Sequence, residues 1–233
     1  MSLRPMFDNV VNKYDFINRL LTAGLDKFWR QMCAKECASA RVTVDLCCGT
    51  GDLTLNVKRF APEACILGVD FSKVMLRKTM KKIAQRQKEN NGLDNVVLIL
   101  ADAGHLPFKD ECVDRVGISF SFRNLVYNNP DTEICLKEIL RTLHPKGKFV
   151  CVETSQPTWH LLRILYHLYL RKIVPLIGGF ISGHKGAYHY LGLSARNFPT
   201  PEEIAKILFH AGFSEVSVKK VTLGVIALHV AVK

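Results

Sequence analysis

Three aspartates in this 233-residue chain stand where apolar runs end, and their type and spacing could do chemistry. The first, Asp45, belongs to Val42–Leu46 and precedes Cys47-Cys48-Gly49-Thr50-Gly51-Asp52. Gly49 and Gly51 let the backbone turn sharply and approach a ligand closely. A carboxylate at position 45 can hold an ammonium group, directly or through water. The second, Asp70, follows an apolar run over 66–69, about 25 positions later. That is near the spacing at which an acid accepts from both hydroxyls of a ribose. Phe71 beside it can pack on a purine. The third opens Asp102-Ala103 after Leu98-Ile99-Leu100 and can accept from an adenine amino group. A dinucleotide fingerprint would put its third glycine at position 54, where this chain has Thr54. Ligands of open α/β sheets bind at the carboxyl ends of strands. Three acids at three successive strand ends therefore predict a site for an adenosyl group carrying methionine, S-adenosyl-L-methionine.

The elements that must position these acids follow from periodicity. Strands are expected over 42–46, 66–69, 96–100, 113–120 and 149–152. Helices are expected between them, from Leu53, Val57 and Phe60, from Ser72 onward, and from Leu136, Ile139, Leu140 and Leu143. Such alternation implies parallel strands with helices on both faces. Near the end, Thr200-Pro201-Glu202-Glu203 reads as a capping box and Gly212 as a helix stop. Runs over 216–221 and 225–232 are joined by Thr222-Leu223-Gly224 alone. So short a link cannot be a parallel crossover, so the last strand is expected to run antiparallel. The layout is that of a class I methyltransferase: one α/β domain over 1–233 with a Rossmann-like, mostly parallel seven-stranded sheet. A helical N-terminal cap is expected over 1–40, with one helical run over 7–30. An inserted helical cover of the substrate is expected over 156–199, where Trp159 to Lys172 is apolar, aromatic and flanked by cations.

Composition narrows the partners. Hydrophobic residues at 48% and charged residues at 23% are ordinary for a soluble globular chain. No run of about 18 or more uncharged apolar residues occurs, which argues against a membrane-spanning helix. Met1 to Pro5 lacks the regions of a signal peptide. The expectation is an intracellular protein: cytoplasmic in a prokaryote, or on the plastid or mitochondrial matrix side after loss of a transit peptide. Eight cysteines without a Cys-x-x-Cys pair read as buried free thiols, and no metal site is expected. The net charge of +11 suits nucleic acid, an anionic membrane surface, or simple solubility. Arg77, Lys78, Lys81, Lys82, Arg86 and Lys88 spread around a helix and read as a solvated face.

Several segments carry a resemblance. They are Tyr14-Asp15-Phe16-Ile17-Asn18 with Trp29, Ile118 through Arg123-Asn124, and Arg141 through Glu153-Thr154-Ser155. Tyr188-His189-Tyr190-Leu191, Phe198-Pro199 and Gly224 through His229 complete the set. On these the chain resembles the ubiquinone/menaquinone biosynthesis C-methyltransferase family over essentially its whole length. It departs from the family's pattern at Thr22, Asp26, Thr142, His144, Lys146 and Leu193. The resemblance implies methylation of a ring carbon of a prenylated quinol in menaquinone, phylloquinone or ubiquinone synthesis. It implies cofactor contacts from Thr50, Asp70, Asp102, Ala103 and Ser119, and quinol contacts from Tyr14, Arg123 and Asn124. Arg123 stays protonated, so it would stabilise the quinolate oxygen or hold a water that takes the proton. A prenyl tail and the basic balance together suggest peripheral contact with an anionic membrane. Nucleic acid is not an expected partner, and a homodimer is left open. Two competing readings remain. An RNA methyltransferase fits the charge but lacks an Asn-Pro-Pro-Tyr-like element after the fourth strand. A non-catalytic cofactor-binding subunit of a quinone-synthesis assembly is favoured only by Cys47, which stands where a glycine is usual.

Overall fold

The computed structural model describes residues 4–89 and 93–233. The helical spacing near the start becomes two helices instead of one run over 7–30. They are α1 (Arg4–Leu21) and α2 (Leu25–Cys37). The break falls at Ala23 and Gly24, both left-handed, with φ of 50° and 79°. Thr22 Oγ1 donates back to the Asn18 carbonyl at 2.8 Å and to Asp26 at 3.2 Å. Such local side-chain bonding competes with continuation of a helix.

The alternating part of the sequence folds as its periodicity requires. It runs β1 (Val42–Leu46), α3 (Asp52–Phe60), β2 (Cys65–Asp70), α4 (Lys73–Glu89), β3 (Val96–Leu100) and β4 (Val113–Ser119). Then come α5 (Phe122–Val126), α6 (Thr132–Thr142) and β5 (Leu143–Thr154). β5 is longer than the expected 149–152, because Pro145-Lys146-Gly147 makes a bulge inside the strand instead of a turn before it. Leu143 pairs with Val113 and Lys148 with Arg115, and Lys146 takes a φ of 65°. After the segment over 156–199 come α10 (Pro201–Ala211), β6 (Glu215–Val221), a 3-10 turn (Thr222–Gly224) and β7 (Ile226–Val232). The expected capping box is formed: Glu203 N–H donates to Thr200 Oγ1, and Thr200 N–H donates to the Glu203 carboxylate at 2.7 Å.

The seven strands lie in the order β3-β2-β1-β4-β5-β7-β6. β1 to β5 pair in parallel, and β7 is antiparallel to both its neighbours. The chain's strand order reverses between β1 and β4, which opens a crevice beyond their carboxyl ends. Alternation along each strand feeds two cores. Phe149 and Cys151 of β5 join Ile139, Ile204 and Leu208 on one face. Val150 and Val152 join Trp29, Cys33, Leu53 and Val57 on the other, so α2 and α3 close that side. All eight cysteines are free, and five of them are buried.

The segment over 156–199 is helical. α7 (His160–Leu168), a π-helical turn (Tyr169–Ile173) and α8 (Val174–Ser182) form one rod, and α9 (Lys185–Arg196) folds back on it. A third, smaller core forms here from Val10 and Ile17 of α1 with Leu170, Val174, Tyr188 and Ala195.

Candidate active site

A cavity of about 1080 Å³ occupies the crevice beyond β1, β2 and β4. Its wall includes Cys47, Gly49, Asp70, Phe71, Asp102 and Ala103 from the strand ends. Asp70 caps two turns at once: one carboxylate oxygen accepts from Gly49 N–H and the other from Ser72 N–H, each at 2.8 Å. Burial raises its carboxyl above the ordinary value, against the pull of those backbone donors. Asp102 Oδ1 accepts from Gly104 N–H at 2.8 Å, and the side chain stays exposed toward the cavity.

Gly51 must be glycine for two reasons. Its φ is 80°, and a Cβ there would stand 2.4 Å from the Thr79 methyl. Cys47 is different. It holds a left-handed φ of 54° although it carries a side chain. Burial pushes the Cys47 thiol well up, so it is no thiolate nucleophile at neutral pH.

Other residues expected at the cofactor lie behind the wall. Asp45 is 1% exposed, and its Oδ2 accepts from the Thr54 N–H at 2.7 Å and the Thr54 hydroxyl at 2.5 Å. It fixes the start of α3, and burial raises its carboxyl to about 7. Thr50 donates to Asp15 of α1 at 2.6 Å, and Ser119 accepts from Arg30 at 3.1 Å. Ser121, two positions further on, lines the cavity instead.

On the opposite side the cavity is walled by Tyr14, Asn124 and Tyr190, with Met6, Phe7 and Asn9 from the first turns of α1. Tyr190 OH donates to Asn124 Oδ1 at 3.4 Å. Burial raises the Tyr14 phenol, with Arg30 and Arg123 pulling the other way. Arg123 is not on this wall. It is 4% exposed and lines a second, smaller cavity of about 140 Å³ that shares Tyr14 with the first. There Arg123 Nη1 donates to Glu153 at 2.9 Å, while its backbone N–H donates to the other Glu153 oxygen at 3.1 Å. Its Nε is buried without a partner. Sequence reading missed Glu153 as a partner, and of α1's wall it named Tyr14 but not Met6, Phe7 or Asn9. Glu153 had the same signal as the other acids, a carboxylate closing a strand.

α1 is latched over the cofactor side by its acids. Asp8 accepts from Ser72, and Asp15 pairs with Lys82 at 2.7 Å as well as with Thr50. Lys82 also meets Asp52 at 2.7 Å, so one cation of the basic α4 turns inward, while Arg77, Lys81, Arg86 and Lys88 stay exposed.

The model of the ubiE/COQ5 methyltransferase family matches residues 2–233. The chain belongs to that family. It is therefore an S-adenosylmethionine-dependent methyltransferase. Demethylmenaquinone methyltransferases of Staphylococcus aureus strains JH9 and Newman are each 37% identical to it over 231 residues. That alignment covers 98% of this chain and 91% of theirs. Among solved structures, a SAM-dependent methyltransferase of Thermotoga maritima superposes with a TM-score of 0.66 at 18% identity, covering all of both chains. One from Aquifex aeolicus gives 0.54 at 17% identity over 82% of this chain and 81% of its own. These likenesses bear on the fold. The cavity wall combines two strand-end carboxylates, Asp70 and Asp102, which can accept from hydroxyl and amino groups, with the half-buried Gly49 and the apolar Phe71 and Ala103.

Proposed function

We propose that this protein methylates a ring carbon of a prenylated quinol, and that the ring is a naphthoquinol of the demethylmenaquinol type. The observation that carries the reading is one cavity with two unlike walls. Carboxylates and glycine backbone lie on the sheet side, and Tyr14, Asn124 and Tyr190 face them. The size suits a nucleoside-sized cofactor and a ring together, since about 300–1,000 Å³ is the usual range of ligand pockets. The names of the relatives at 37% identity favour the naphthoquinol.

The cofactor supplies an electrophilic methyl on a sulfonium. In this reading Asp70 accepts from the ribose hydroxyls, Asp102 from the adenine amino group, and Phe71 packs on the base. Asn124 and Tyr190 hold a ring oxygen, and Tyr14 donates to it, because burial keeps its phenol protonated. Charge then grows on that oxygen next to the attacking carbon. Arg123 stabilises it from behind Tyr14, with its charge fixed in place by Glu153. α1 walls the cavity on one side, and residues 183–187 at the start of α9 border it on another. A prenyl tail also supports peripheral contact with a membrane.

Mass spectrometry of quinones from cells lacking the gene tests the reading. A demethylated naphthoquinone is expected to accumulate. An unchanged quinone pool, together with no methyl transfer by purified protein to a short-tailed demethylnaphthoquinol, would overturn it.

A further inference from the structure

The α7–α8 rod leaves an apolar stripe uncovered along its whole length. Leu161, Ile164, Leu165, Leu168, Ile173, Leu176 and Phe180 recur at helical spacing, with one step lengthened by the π turn, and all are exposed. Leu161 is 70%, Leu176 68% and Phe180 88% exposed. From Leu170 onward the opposite side of the rod is packed, whereas α7 has no buried residue. Leu170 and Val174 sit in the third core, and a Cβ on Gly178 would stand 2.2 Å from the Tyr188 ring. α1 runs beside the rod in the opposite direction. Tyr169 OH donates to the Leu21 carbonyl at 2.6 Å, and Lys13 Nζ donates to the Ile181 carbonyl at 2.7 Å. Phe16 and Leu20 follow Lys13 at i+3 and i+7 and are exposed too, so α1 widens the stripe. An apolar surface of this extent on a soluble chain marks an interaction site.

Charge says what covers it. From Gln156 to Thr200 the sequence contains no Asp or Glu, while it holds Arg163, Arg171, Lys172, Lys185 and Arg196. Arg171 and Lys172 are exposed at mid-length of the rod. The acids of α1 that could answer them point away, Asp8 to Ser72 and Asp15 to Thr50 and Lys82. Pairing with a second copy through this stripe would be self-complementary, and would bring cation against cation with no acid of the stripe between them. By length and composition the rod could cross a bilayer. Crossing would place Arg171 and Lys172 at the bilayer centre, where charge is costly, and would strip α1 and α9 from its packed side. An anionic lipid surface satisfies both features: acyl chains take the leucines, and headgroups take the cations.

We propose that the α7–α8 rod lies in the plane of an anionic membrane with Leu161 to Phe180 inserted, which sets the cavity mouth at 183–187 against the lipid. The rod ends at Ser182, and Gly183, His184, Lys185 and Gly186 are at once exposed and part of the cavity wall. A substrate with an isoprenoid tail would then enter with its ring leading and its tail still among acyl chains. That delivery role rests on the proposed quinol reaction, whereas the docking face does not.

The test is flotation of the full chain with vesicles of phosphatidylcholine containing about one third phosphatidylglycerol. In parallel, single-turnover methylation of a short-tailed, water-soluble quinol is measured without lipid. Wild type should float at low salt and be released as screening shortens to about 8 Å. Leu165→Glu/Leu176→Glu/Phe180→Glu should cut the bound fraction at least about tenfold and leave the soluble rate unchanged. Arg171→Glu/Lys172→Glu should abolish the preference over pure phosphatidylcholine. Wild type that stays unbound, or a triple variant that floats as well as wild type, overturns the proposal. So does a wild-type dimer that the triple variant splits without any lipid binding. Flotation without methylation of any quinol would sink the functional reading and leave the docking face standing. Methylation without flotation would do the reverse.

Discussion

The sheet half of this protein and its helical segment over 160–196 are built on opposite terms. From Val42 to Thr154 most apolar side chains face one of two cores, and the central strands β1, β4 and β5 are covered on both faces, while the edge strand β3 leaves Val97 and Leu100 exposed. From His160 to Arg196 one small core holds the helices, and the larger part of the apolar surface faces outward. The difference separates two uses of hydrophobicity, stability in the sheet and, on the proposal above, docking by the helices over 160–196. The cavity lies where the two regions meet, with lining residues from both.

The sharpest way to break that comparison is to remove matched apolar side chains from each half. Phe149→Ala in the sheet core should cost about 3–5 kcal/mol, and Leu176→Ala on the rod within about 0.5 kcal/mol. Urea unfolding of both variants in lipid-free buffer checks the pair. A costly Leu176→Ala would mean the stripe is part of the fold.

Arg123 sits on the seam, so its effect should be mixed. Arg123→Ala leaves the buried Glu153 carboxylate without its counter-charge, holding only the backbone N–H of position 123 and the Thr154 donors, which should cost about 3–5 kcal/mol of stability. Turnover should also fall about a hundredfold or more. Arg123→Met/Glu153→Gln removes both charges and should recover the stability without the turnover. If turnover returned with stability, Arg123 would be a structural ion pair alone.

On the sheet side, Asp70→Asn should weaken cofactor binding about a hundredfold while the protein stays folded, since the amide loses charge-assisted acceptance from ribose. Calorimetric titration measures it, and near-wild-type affinity would remove the ribose assignment.

Asp45 gives a pH signature confined to the sheet half. Its carboxyl rises from the ordinary 3.8 to about 7 because it is buried. Between those values the folded protein keeps a proton that the unfolded chain has released. This group therefore favours folding at the acid end of the window, and its help is lost as pH rises to about 7. The slope is up to about 1.4 kcal/mol per pH unit. Asp45→Asn should flatten the slope of cofactor-free stability, and an unchanged slope would show that another group sets it.

The smallest effect expected is a gain. Cys47→Gly relieves a left-handed φ of 54° and should stabilise by about 0.5–1 kcal/mol with activity retained. A loss of activity on that change would assign the Cys47 side chain a role in the cavity.

Period-two and period-3.6 patterns in this chain determined the seven strands, the helices between them, the capping box at Thr200 and the antiparallel β7. Each of these follows from local spacing and from what must be buried. Three strand-end acids were legible as a cofactor signal for the same reason, since the carboxyl ends of parallel strands share one edge. Which acids reach the cavity was not legible. Asp45 and Asp70 both close strands, yet Asp45 turns under the sheet to Thr54 and Asp70 stays on the wall. The break of the first helix is local, at Thr22, Ala23 and Gly24, but apolar period alone does not mark it, and the bulge at Lys146 depends on pairing that a linear pattern does not contain. Arg123 was named from sequence, but its burial against Glu153, thirty positions away, came from the parallel register of β4 and β5. The stripe on the rod shows the limit most plainly. Its leucines have the spacing of a buried face, and only the placement of α1 and α9 on the other side leaves them facing out. Burial depends on which neighbour arrives on which side, and the sequence states that only through long-range contacts.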